Sequence, residues 1–188
     1  IESTLSTFLT ADKTVYDIGA GSGAYTKLLS SKFENVIAIE KDEESFENLT
    51  HTVRKKQITN TILHNEDVFD ILKDPSFVFK DTCILCTEVL EHMPYDDSVN
   101  LVQSLLSKDI LNGVFTLPNK EFNKHYNLTE DQLRLDDHDW EPTRETLHLF
   151  LKDCKIEDFG YKYELSYIGN SEKNDPTLSS TFLIFVHK

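Results

Sequence analysis

The sequence has few cysteines, no long apolar run and no recognisable leader. Three cysteines, Cys83, Cys86 and Cys154, do not make a disulfide framework, so we expect a protein of the reducing cytoplasm. No apolar stretch approaches the roughly 20 residues that span a bilayer, and we expect no membrane association. The start, Ile1-Glu-Ser-Thr, lacks the basic and apolar parts of a signal peptide and an initiator methionine. We therefore expect a single domain, residues 1–188, trimmed from a longer chain.

Basic residues are also scarce. The 19 Lys and Arg stand against 33 Asp and Glu, which gives a formal net charge of −14. This charge repels polyanions at long range and argues against a broad surface that coats nucleic acid. It does not exclude a pocket that takes only the end of a strand, and a bound divalent cation would change the local field.

Strand and helix signals alternate along the chain, as expected of an α/β sheet. The predicted strands are residues 14–18, 36–39, 61–63, 82–86, 113–117, about 162–168 and about 181–187. The predicted helices are residues 23–32, 43–56, a short one after Asp67, one that continues from the fourth strand through Glu88, 96–107 and 143–154. Residues 119–142 form a polar loop that is too long for a plain connector, which usually indicates function. We predict a Rossmann-like α/β fold with a seven-stranded, mostly parallel sheet, an antiparallel last strand and helices on both faces.

A glycine-rich loop, Asp17-Ile-Gly19-Ala-Gly21-Ser-Gly23, lies between the first strand and the first helix. Glycines let the backbone turn tightly and approach a ligand, and the helix N-terminus offers unpaired N–H groups. Glu40, at the end of the second strand, can accept hydrogen bonds from a ribose diol. Gly19-x-Gly21-x-x-Ala24 also satisfies the dinucleotide pattern, and a tight turn without any ligand is the plainest alternative.

Three features favour S-adenosylmethionine (SAM) over a dinucleotide. An acid two residues before the first glycine is unhelpful beside a pyrophosphate but useful beside an amino-acid cofactor. The third glycine gives the pattern GxGxG, and an acid after the third strand is placed to meet the adenine amino group. We therefore predict a class I SAM methyltransferase. Its cofactor-binding residues are predicted to be Asp17, Gly19, Gly21, Gly23, Glu40 and Asp67.

The fourth predicted strand leads into Glu88-Val-Leu-Glu91-His92. On a helix, positions i, i+3 and i+4 share one face, so both carboxylates and the imidazole would point the same way. Oxygen ligands suit Mg²⁺ or Mn²⁺, and imidazoles favour Mn²⁺ or another transition metal. His138 in the long loop is the candidate fourth ligand. A solvated helix face with an incidental histidine explains the spacing equally well.

Three segments occur in a specific order: Glu88-x-x-Glu91-His92, then Leu117-Pro-Asn-Lys-Glu-Phe-Asn123 with His125-Tyr126, then Leu133-Arg-x-x-Asp-His138-x-Trp-Glu-x-Thr-Arg144. Together they resemble the HEN family, RNA methyltransferases that modify the 2′-hydroxyl of the 3′-terminal nucleotide of small RNAs. The similarity extends from Asp17 to about Gly169. The chain departs from the family at Leu117, Leu135, Asp136, Asp139 and Pro142, which affects the expected RNA affinity and leaves the metal ligands intact.

The resemblance implies a metal-assisted reaction. Its metal ligands and catalytic residues fall on Glu88, Glu91, His92 and His138. A divalent cation, Mg²⁺ or Mn²⁺, would bind the 2′- and 3′-hydroxyls of the terminal ribose and lower the pKa of the 2′-hydroxyl that attacks the SAM methyl group. Substrate contacts are expected at Pro118, Asn119, Phe122, Asn123, Arg134 and Arg144. For the two arginines a salt bridge is the alternative to a phosphate contact, and Phe122 and Trp140 either stack on a base or anchor the loop.

The resemblance also implies partners. The RNA 3′ end belongs either to a silencing guide, delivered by an Argonaute-type protein, or to a cleaved RNA, handled with a repair kinase and ligase. We expect a monomer. Two other functions stay open: a metal-dependent methyltransferase acting on a small-molecule diol, and a non-catalytic scaffold that keeps the fold. The first fits the acidic charge but not the resemblance over residues 117–144, and a scaffold needs neither the ligand set nor the glycine loop.

Overall fold

The computed structural model describes residues 14–169 and 179–188. Seven strands form one sheet in the order β3-β2-β1-β4-β5-β7-β6. The strands are β1 Thr14–Ile18, β2 Asn35–Ile39, β3 Thr61–His64, β4 Cys83–Thr87, β5 Asn112–Pro118, β6 Lys162–Ile168 and β7 Thr181–His187. The α-helices are α1 Ala24–Ser30, α2 Glu43–Lys55, α3 Val68–Lys73, α4 Tyr95–Leu106 and α5 Arg144–Asp153, and 3-10 turns cover Leu90–His92, Lys120–Tyr126 and Ile156–Phe159. The predicted Rossmann-like fold is confirmed, with β6 and β7 antiparallel.

The chain forms two compact units. Within the described residues, the N-terminal unit contains residues 14–86 and 108–113, and the C-terminal unit contains residues 87–107, 114–169 and 179–188. The start of the chain, residues 1–13, and most of the polar loop predicted between the last two strands, residues 170–178, lie outside the described residues.

The N-terminal unit is built on three parallel strand pairings. Strand β1 pairs with β2 on one side and with β4 on the other, so that Val15 lies opposite both Val36 and Cys83. Strand β2 also pairs with β3. Strands of a parallel sheet that are covered on both faces are mostly apolar, and in β1 and β4 all residues except Thr14 are buried, including the acidic Asp17. Helix α2 adds Leu49 and Val53 to the core around Ala38.

Helices begin where side chains satisfy their first N–H groups. Asp42 accepts a hydrogen bond from the Ser45 amide and starts α2, and Asp67 accepts one from the Phe69 amide and starts α3. Thr143 starts α5 in a reciprocal pair with Thr146. All three starts were predicted from sequence, because a short polar residue before an apolar periodic run is the usual signal for a helix N-terminus.

The C-terminal unit packs α4 and α5 around aromatic side chains. The Trp140 ring lies 5.1 Å from the rings of both Tyr95 and Phe150, and its Nε1 donates to the Leu90 carbonyl at 3.0 Å. Strands β6 and β7 pair over their full length, from Lys162 opposite His187 to Ile168 opposite Thr181. The contacts of Trp140 anchor the long loop, which is one of the two roles that we predicted for this residue.

The predicted helix through Glu88 is wrong. Strand β4 runs one residue further than predicted, to Thr87, and Glu88 then takes a left-handed backbone conformation with φ +52°. This conformation prevents the chain from continuing directly from the strand into an α-helix. A short 3-10 turn, Leu90–His92, follows instead. The side chains of this segment are therefore not placed by helical spacing.

We expected neither a disulfide framework nor a membrane-spanning segment, and the described residues bear on both. None of the three cysteines is in a disulfide, and Cys83 and Cys86 lie buried in β4. Over residues 14–169 and 179–188, no helix combines the length and the apolar character that crossing a membrane requires.

Replacing Gly23 by alanine tests the turn between β1 and α1. Gly23 has φ +87°, and a Cβ there would lie 2.7 Å from Leu49 Cδ1, whereas a Cβ at Gly160, φ +81°, would meet nothing within 4 Å. We expect Gly160→Ala to cost about 1 kcal/mol of unfolding free energy through backbone strain alone. Gly23→Ala should cost about 1 kcal/mol more because it also disturbs a packed core. Urea unfolding measures both, and equal costs would contradict the packing argument.

Candidate functional site

The glycine loop of the N-terminal unit is a left-handed turn. Gly19, Gly21 and Gly23 all have positive φ, at 65°, 54° and 87°, and the Gly23 amide donates to the Ala20 carbonyl at 3.0 Å. A Cβ at Gly21 would meet no protein atom within 4 Å. The loop thus leaves the backbone accessible at Gly21, whereas helix α2 leaves no room for a side chain at Gly23.

Asp17 is buried beneath this loop, with 1% of its surface exposed. Its carboxylate accepts a hydrogen bond from Thr26 Oγ1 at 2.6 Å, which ties the end of β1 to helix α1. Burial raises the pKa of Asp17 to about 6, which the Thr26 hydrogen bond partly offsets and the nearby Glu40 charge increases. The structure therefore gives Asp17 a part in shaping the loop, and direct contact with a cofactor stays a prediction.

Glu40 and Asp67 follow the strands that the sequence indicated. Glu40 accepts hydrogen bonds from the Gly21 amide and from the Asp42 amide, both at 2.8 Å, so it fixes the glycine loop and the start of α2 together. Asp67 Oδ1 accepts from the Phe69 amide at 2.8 Å. Each carboxylate oxygen has a second lone pair for a ligand, so this set of residues fits a cofactor that offers hydroxyl and amino groups.

The C-terminal unit brings together three of the four predicted metal ligands. Glu91, His92 and His138 each offer one ligand atom, and these atoms lie within 4.8 Å of one another. The His92 and His138 rings meet edge to face with centroids 4.7 Å apart. Oxygen and imidazole nitrogen are ligands for Mn²⁺ and other divalent transition metals, so the donor set fits a divalent cation.

Glu88, the fourth predicted ligand, is not one of these three residues, and its carboxylate is hydrogen-bonded to Thr116. Its Oε1 accepts a hydrogen bond from Thr116 Oγ1 at 2.9 Å, and its amide donates to the same oxygen at 3.0 Å. Although the residue is exposed, neighbouring protein atoms desolvate its carboxyl enough to raise its pKa. The left-handed backbone at Glu88 accounts for the difference from the helical arrangement that we predicted.

Glu91 is the fully buried carboxylate of the group. It is 0% exposed, and neither carboxylate oxygen has a hydrogen-bond partner among the described residues. Burial, reinforced by the Glu88 charge, raises the pKa of Glu91 to about 9. Buried carboxylates are ordinarily paired, hydrogen-bonded or bound to a metal. Two orphaned oxygens beside two imidazoles are what a cation would satisfy.

Two acidic residues that we did not predict hold the imidazoles. His138 Nδ1 lies 2.6 Å from Glu141 Oε1, and both side chains are buried. His92 Nδ1 lies 3.2 Å from Asp137 Oδ2 and 3.2 Å from the Asp137 carbonyl oxygen. Histidine ligands of metals usually make such a bond through the nitrogen that does not face the metal. The spacing of Asp137, His138 and Glu141 in the sequence was the signal that could have found them.

The predicted substrate residues are largely engaged within the protein. Asn119 and Asn123 are buried, and Asn123 Nδ2 donates to Glu141 Oε2 at 2.5 Å. The Arg134 guanidinium donates to the carbonyls of Asn119 and Ser180 and to Asn123 Oδ1. These partners of the guanidinium are uncharged, so its contacts differ from the salt bridge that we gave as the alternative. They organise the loop, and contact with a substrate stays a prediction.

The other predicted substrate residues differ in exposure. Pro118 is buried at the end of β5, and Phe122 is 9% exposed and packs against the rings of His125 and Tyr126. Arg144, at the first position of α5, is exposed. Arg144 is thus the residue of this set whose exposure suits a phosphate contact.

Comparison with known proteins finds similarity to proteins described as RNA methyltransferases. A family model described as ribosomal RNA adenine dimethylase matches residues 5–131, which include the glycine loop and His92 but not His138. A curated rRNA adenine N-6-methyltransferase from Bacillus licheniformis is 31% identical over 100 residues, or 53% of this chain and 31% of that protein. The chain thus spans about a third of the length of the curated relatives it matches.

Solved structures share the fold more completely. The crystal structure of the small RNA methyltransferase HEN1 has a TM-score of 0.80 at 22% identity, covering 99% of this chain and 25% of that chain. The Pnkp1/Rnl/Hen1 RNA repair complex has a TM-score of 0.77 at 19% identity, covering 100% of this chain and 40% of that one. At these identities the likeness shows the fold, which is the predicted SAM methyltransferase fold.

Glu91→Gln tests the burial of an unpaired carboxylate. Because the folded-state pKa of Glu91, about 9, lies above its ordinary value of 4.5, the metal-free protein should lose stability as pH rises from about 4.5 towards 9. The neutral glutamine removes this loss, so the variant should be similar to the wild type at pH 4.5 and should gain on it by roughly 1.4 kcal/mol per pH unit above that, up to the raised pKa. Urea unfolding with a chelator present measures the difference. Parallel pH profiles for the two proteins would contradict the assignment.

Proposed function

The chain belongs to the ribosomal RNA adenine dimethylase family, and we propose that it is a SAM-dependent RNA methyltransferase whose acceptor is the 2′-hydroxyl of a 3′-terminal nucleotide. The observation that carries the choice of acceptor is Glu91, a buried carboxylate with two unpartnered oxygens beside His92 and His138. A cation that fits this group would also accept the two adjacent hydroxyls of a terminal ribose, which are oxygen ligands of the kind that Mg²⁺ and Mn²⁺ bind.

The family match and the metal group concern different parts of the chain. The family model ends at residue 131, before the segment that contains Asp137, His138 and Glu141. Membership therefore supports methyl transfer to RNA, while the acceptor has to be argued from the C-terminal unit. The likeness of the whole chain to the small RNA methyltransferase HEN1 supports the terminal ribose.

Each residue has a proposed role. Glu91, His92 and His138 hold the cation, and Glu88 is the proposed fourth ligand once its bond to Thr116 is released. When bound, a divalent cation would lower the pKa of a hydroxyl group that coordinates it. The histidines act as ligands through Nε2, because Nδ1 of each is already bonded to an acid, and so neither imidazole takes the proton through Nδ1. Recognition of a diol needs few phosphate contacts, which suits a net charge of −14.

The N-terminal unit is proposed to bind SAM. Gly21 provides the close backbone approach, since nothing lies within 4 Å of the position where its Cβ would be. Glu40 and Asp67 are proposed to meet the ribose and the adenine. Asp17 and Gly19 shape the turn, and Gly23 keeps it closed against α2.

Gly21→Ala should abolish SAM binding and leave the fold intact. The added methyl group enters space that the protein does not fill, at a cost of about 1 kcal/mol for the left-handed backbone. Gly160→Ala is the matched control, because Gly160 has φ +81° and equally open surroundings. SAM should raise the melting temperature of the wild type and of Gly160→Ala by mass action, but not that of Gly21→Ala. A SAM-induced rise that persists in Gly21→Ala would count against this cofactor site.

A second acceptor, the N6 amino group of adenine, is favoured by the family model and by the curated Bacillus relative. An amine of this kind needs no cation and no diol. It would leave the two oxygens of Glu91 and the paired imidazoles without a function in the reaction. The product distinguishes the two acceptors directly.

The test is transfer of a labelled methyl group from SAM to short RNAs with Mn²⁺ or Mg²⁺ present, followed by digestion and identification of the methylated nucleoside. We expect 2′-O-methylation of the terminal nucleotide when the end carries both hydroxyls, and none with a 2′-deoxy or a 3′-phosphate end. A chelator should abolish transfer, and His138→Ala should lower it by at least about 100-fold.

The other outcomes are informative. N6-methyladenosine formed without a cation would establish the second acceptor. SAM binding without transfer to any RNA would favour a small-molecule diol as the substrate, and absence of SAM binding would favour a scaffold.

The proposed partners follow from the substrate. A cleaved RNA implies a repair kinase and ligase, which the likeness to the Hen1 chain of an RNA repair complex supports. A silencing guide implies an Argonaute-type donor instead. A cytoplasmic monomer is the proposed form of the protein in either role.

A further inference from the structure

We propose that Glu141 and Asp137 are positioning residues that hold His138 and His92 as Nδ1–H tautomers, with both Nε2 atoms turned to the ligand group of Glu91. The inference rests on the metal site proposed above and extends it to residues that do not touch the metal. It makes the five residues 137–141 a unit that we call the orienting segment, Asp137-His138-Asp139-Trp140-Glu141.

The bond between Glu141 and His138 is the stronger of the two. Its length is 2.6 Å, and the His138 and Glu141 side chains are 3% and 0% exposed. A carboxylate is an acceptor only, so the imidazole nitrogen that faces it carries the proton. The neutral imidazole then has its lone pair on Nε2, which is the form that binds a metal.

Asp137 acts on the other histidine from the opposite end of the segment. Its carboxylate and its carbonyl both face His92 Nδ1 at 3.2 Å, and both are acceptors. Asp137 is 70% exposed in its side chain, so we expect its carboxylate to contribute less than that of Glu141. The carbonyl also keeps the tautomer when the carboxylate is removed.

The orienting segment is fastened to the turn that supplies the other two ligands. The Asp139 amide donates to the Glu91 carbonyl at 2.8 Å, and Trp140 Nε1 donates to the Leu90 carbonyl at 3.0 Å. Together with the bond between Asp137 and His92, these contacts join the segment to each residue of the 3-10 turn. Turning His92 away would break its contacts with Asp137, and turning His138 away would break its bond to Glu141.

Glu141 also joins the ligand to the long loop. Its Oε1 accepts from the Arg134 amide at 2.6 Å, and its Oε2 accepts from Asn123 Nδ2 at 2.5 Å. Three donors thus converge on one buried carboxylate, which fixes its orientation. A glutamine has the same shape but replaces one carboxylate oxygen by an NH₂ group, which is a donor. It therefore cannot accept hydrogen bonds at both positions.

The first experiment reads the tautomers of the wild-type protein without metal. Long-range ¹H–¹⁵N correlation spectra distinguish a proton on Nδ1 from one on Nε2. We expect Nδ1–H at both His92 and His138. An Nε2–H tautomer at His138 would overturn the proposal, and this result needs neither a variant nor methyl transfer.

The second experiment measures Mn²⁺ binding by the loss of the six-line electron paramagnetic resonance signal of the free ion. We expect Glu141→Gln to weaken binding by about 10- to 100-fold and Asp137→Asn by less than about 10-fold. Asp136→Asn is the matched control, because it removes the same charge from an exposed neighbour outside the segment. It should change the affinity by less than about 2-fold.

The outcomes separate this proposal from the proposed function. Equal affinity of wild type and a folded Glu141→Gln overturns the positioning role alone. An Asp136→Asn effect as large as that of Glu141→Gln also overturns it, since bulk charge would then explain the loss. Absence of Mn²⁺ binding to the wild type overturns both. Tight Mn²⁺ binding that weakens as expected, without methyl transfer to RNA, supports the positioning role and contradicts the proposed function.

Discussion

The functional site depends on the burial of the Glu91 carboxylate among groups that do not hydrogen-bond to it. Removing a charged carboxylate from water without a partner is costly, and a group in this position either takes up a proton or binds a cation. The raised pKa of Glu91, about 9, expresses the first response, and the two imidazoles nearby permit the second. The protein thus places a buried carboxylate with a raised pKa beside two imidazoles, and perturbed pKa values of this kind cluster at functional sites.

The orienting segment shows how an irregular loop can be rigid enough to hold ligands. Buried polar groups need partners, and in the C-terminal unit Glu141, Asn123 and Arg134 supply them to one another. Side chains that looked like substrate contacts are therefore part of the support for His138. The same network makes residues 119–142 an ordered part of the site instead of a plain connector.

The fold could be predicted from the sequence because its signals are local. Apolar runs mark the buried strands, and Asp42, Asp67 and Thr143 mark the helix starts. The glycine loop was also indicated in this way, whereas Glu91, His92 and His138 were indicated as metal ligands by the family resemblance, and that role stays a prediction. What failed depended on tertiary structure: the left-handed backbone at Glu88, and the contact of Arg134 with the Ser180 carbonyl 46 residues away. No periodicity in the chain reports contacts of that kind.

Family membership and site chemistry together lead to one central claim, that a cation held by Glu91, His92 and His138 binds the hydroxyls of a terminal ribose. The most direct measurement is electron–nuclear double resonance on the Mn²⁺-loaded protein with an RNA whose terminal 2′-oxygen is ¹⁷O. The account predicts ¹⁴N couplings from two imidazoles and a ¹⁷O coupling that a 2′-deoxy end, which lacks the labelled oxygen, does not give. Bound RNA without any ¹⁷O coupling would contradict it.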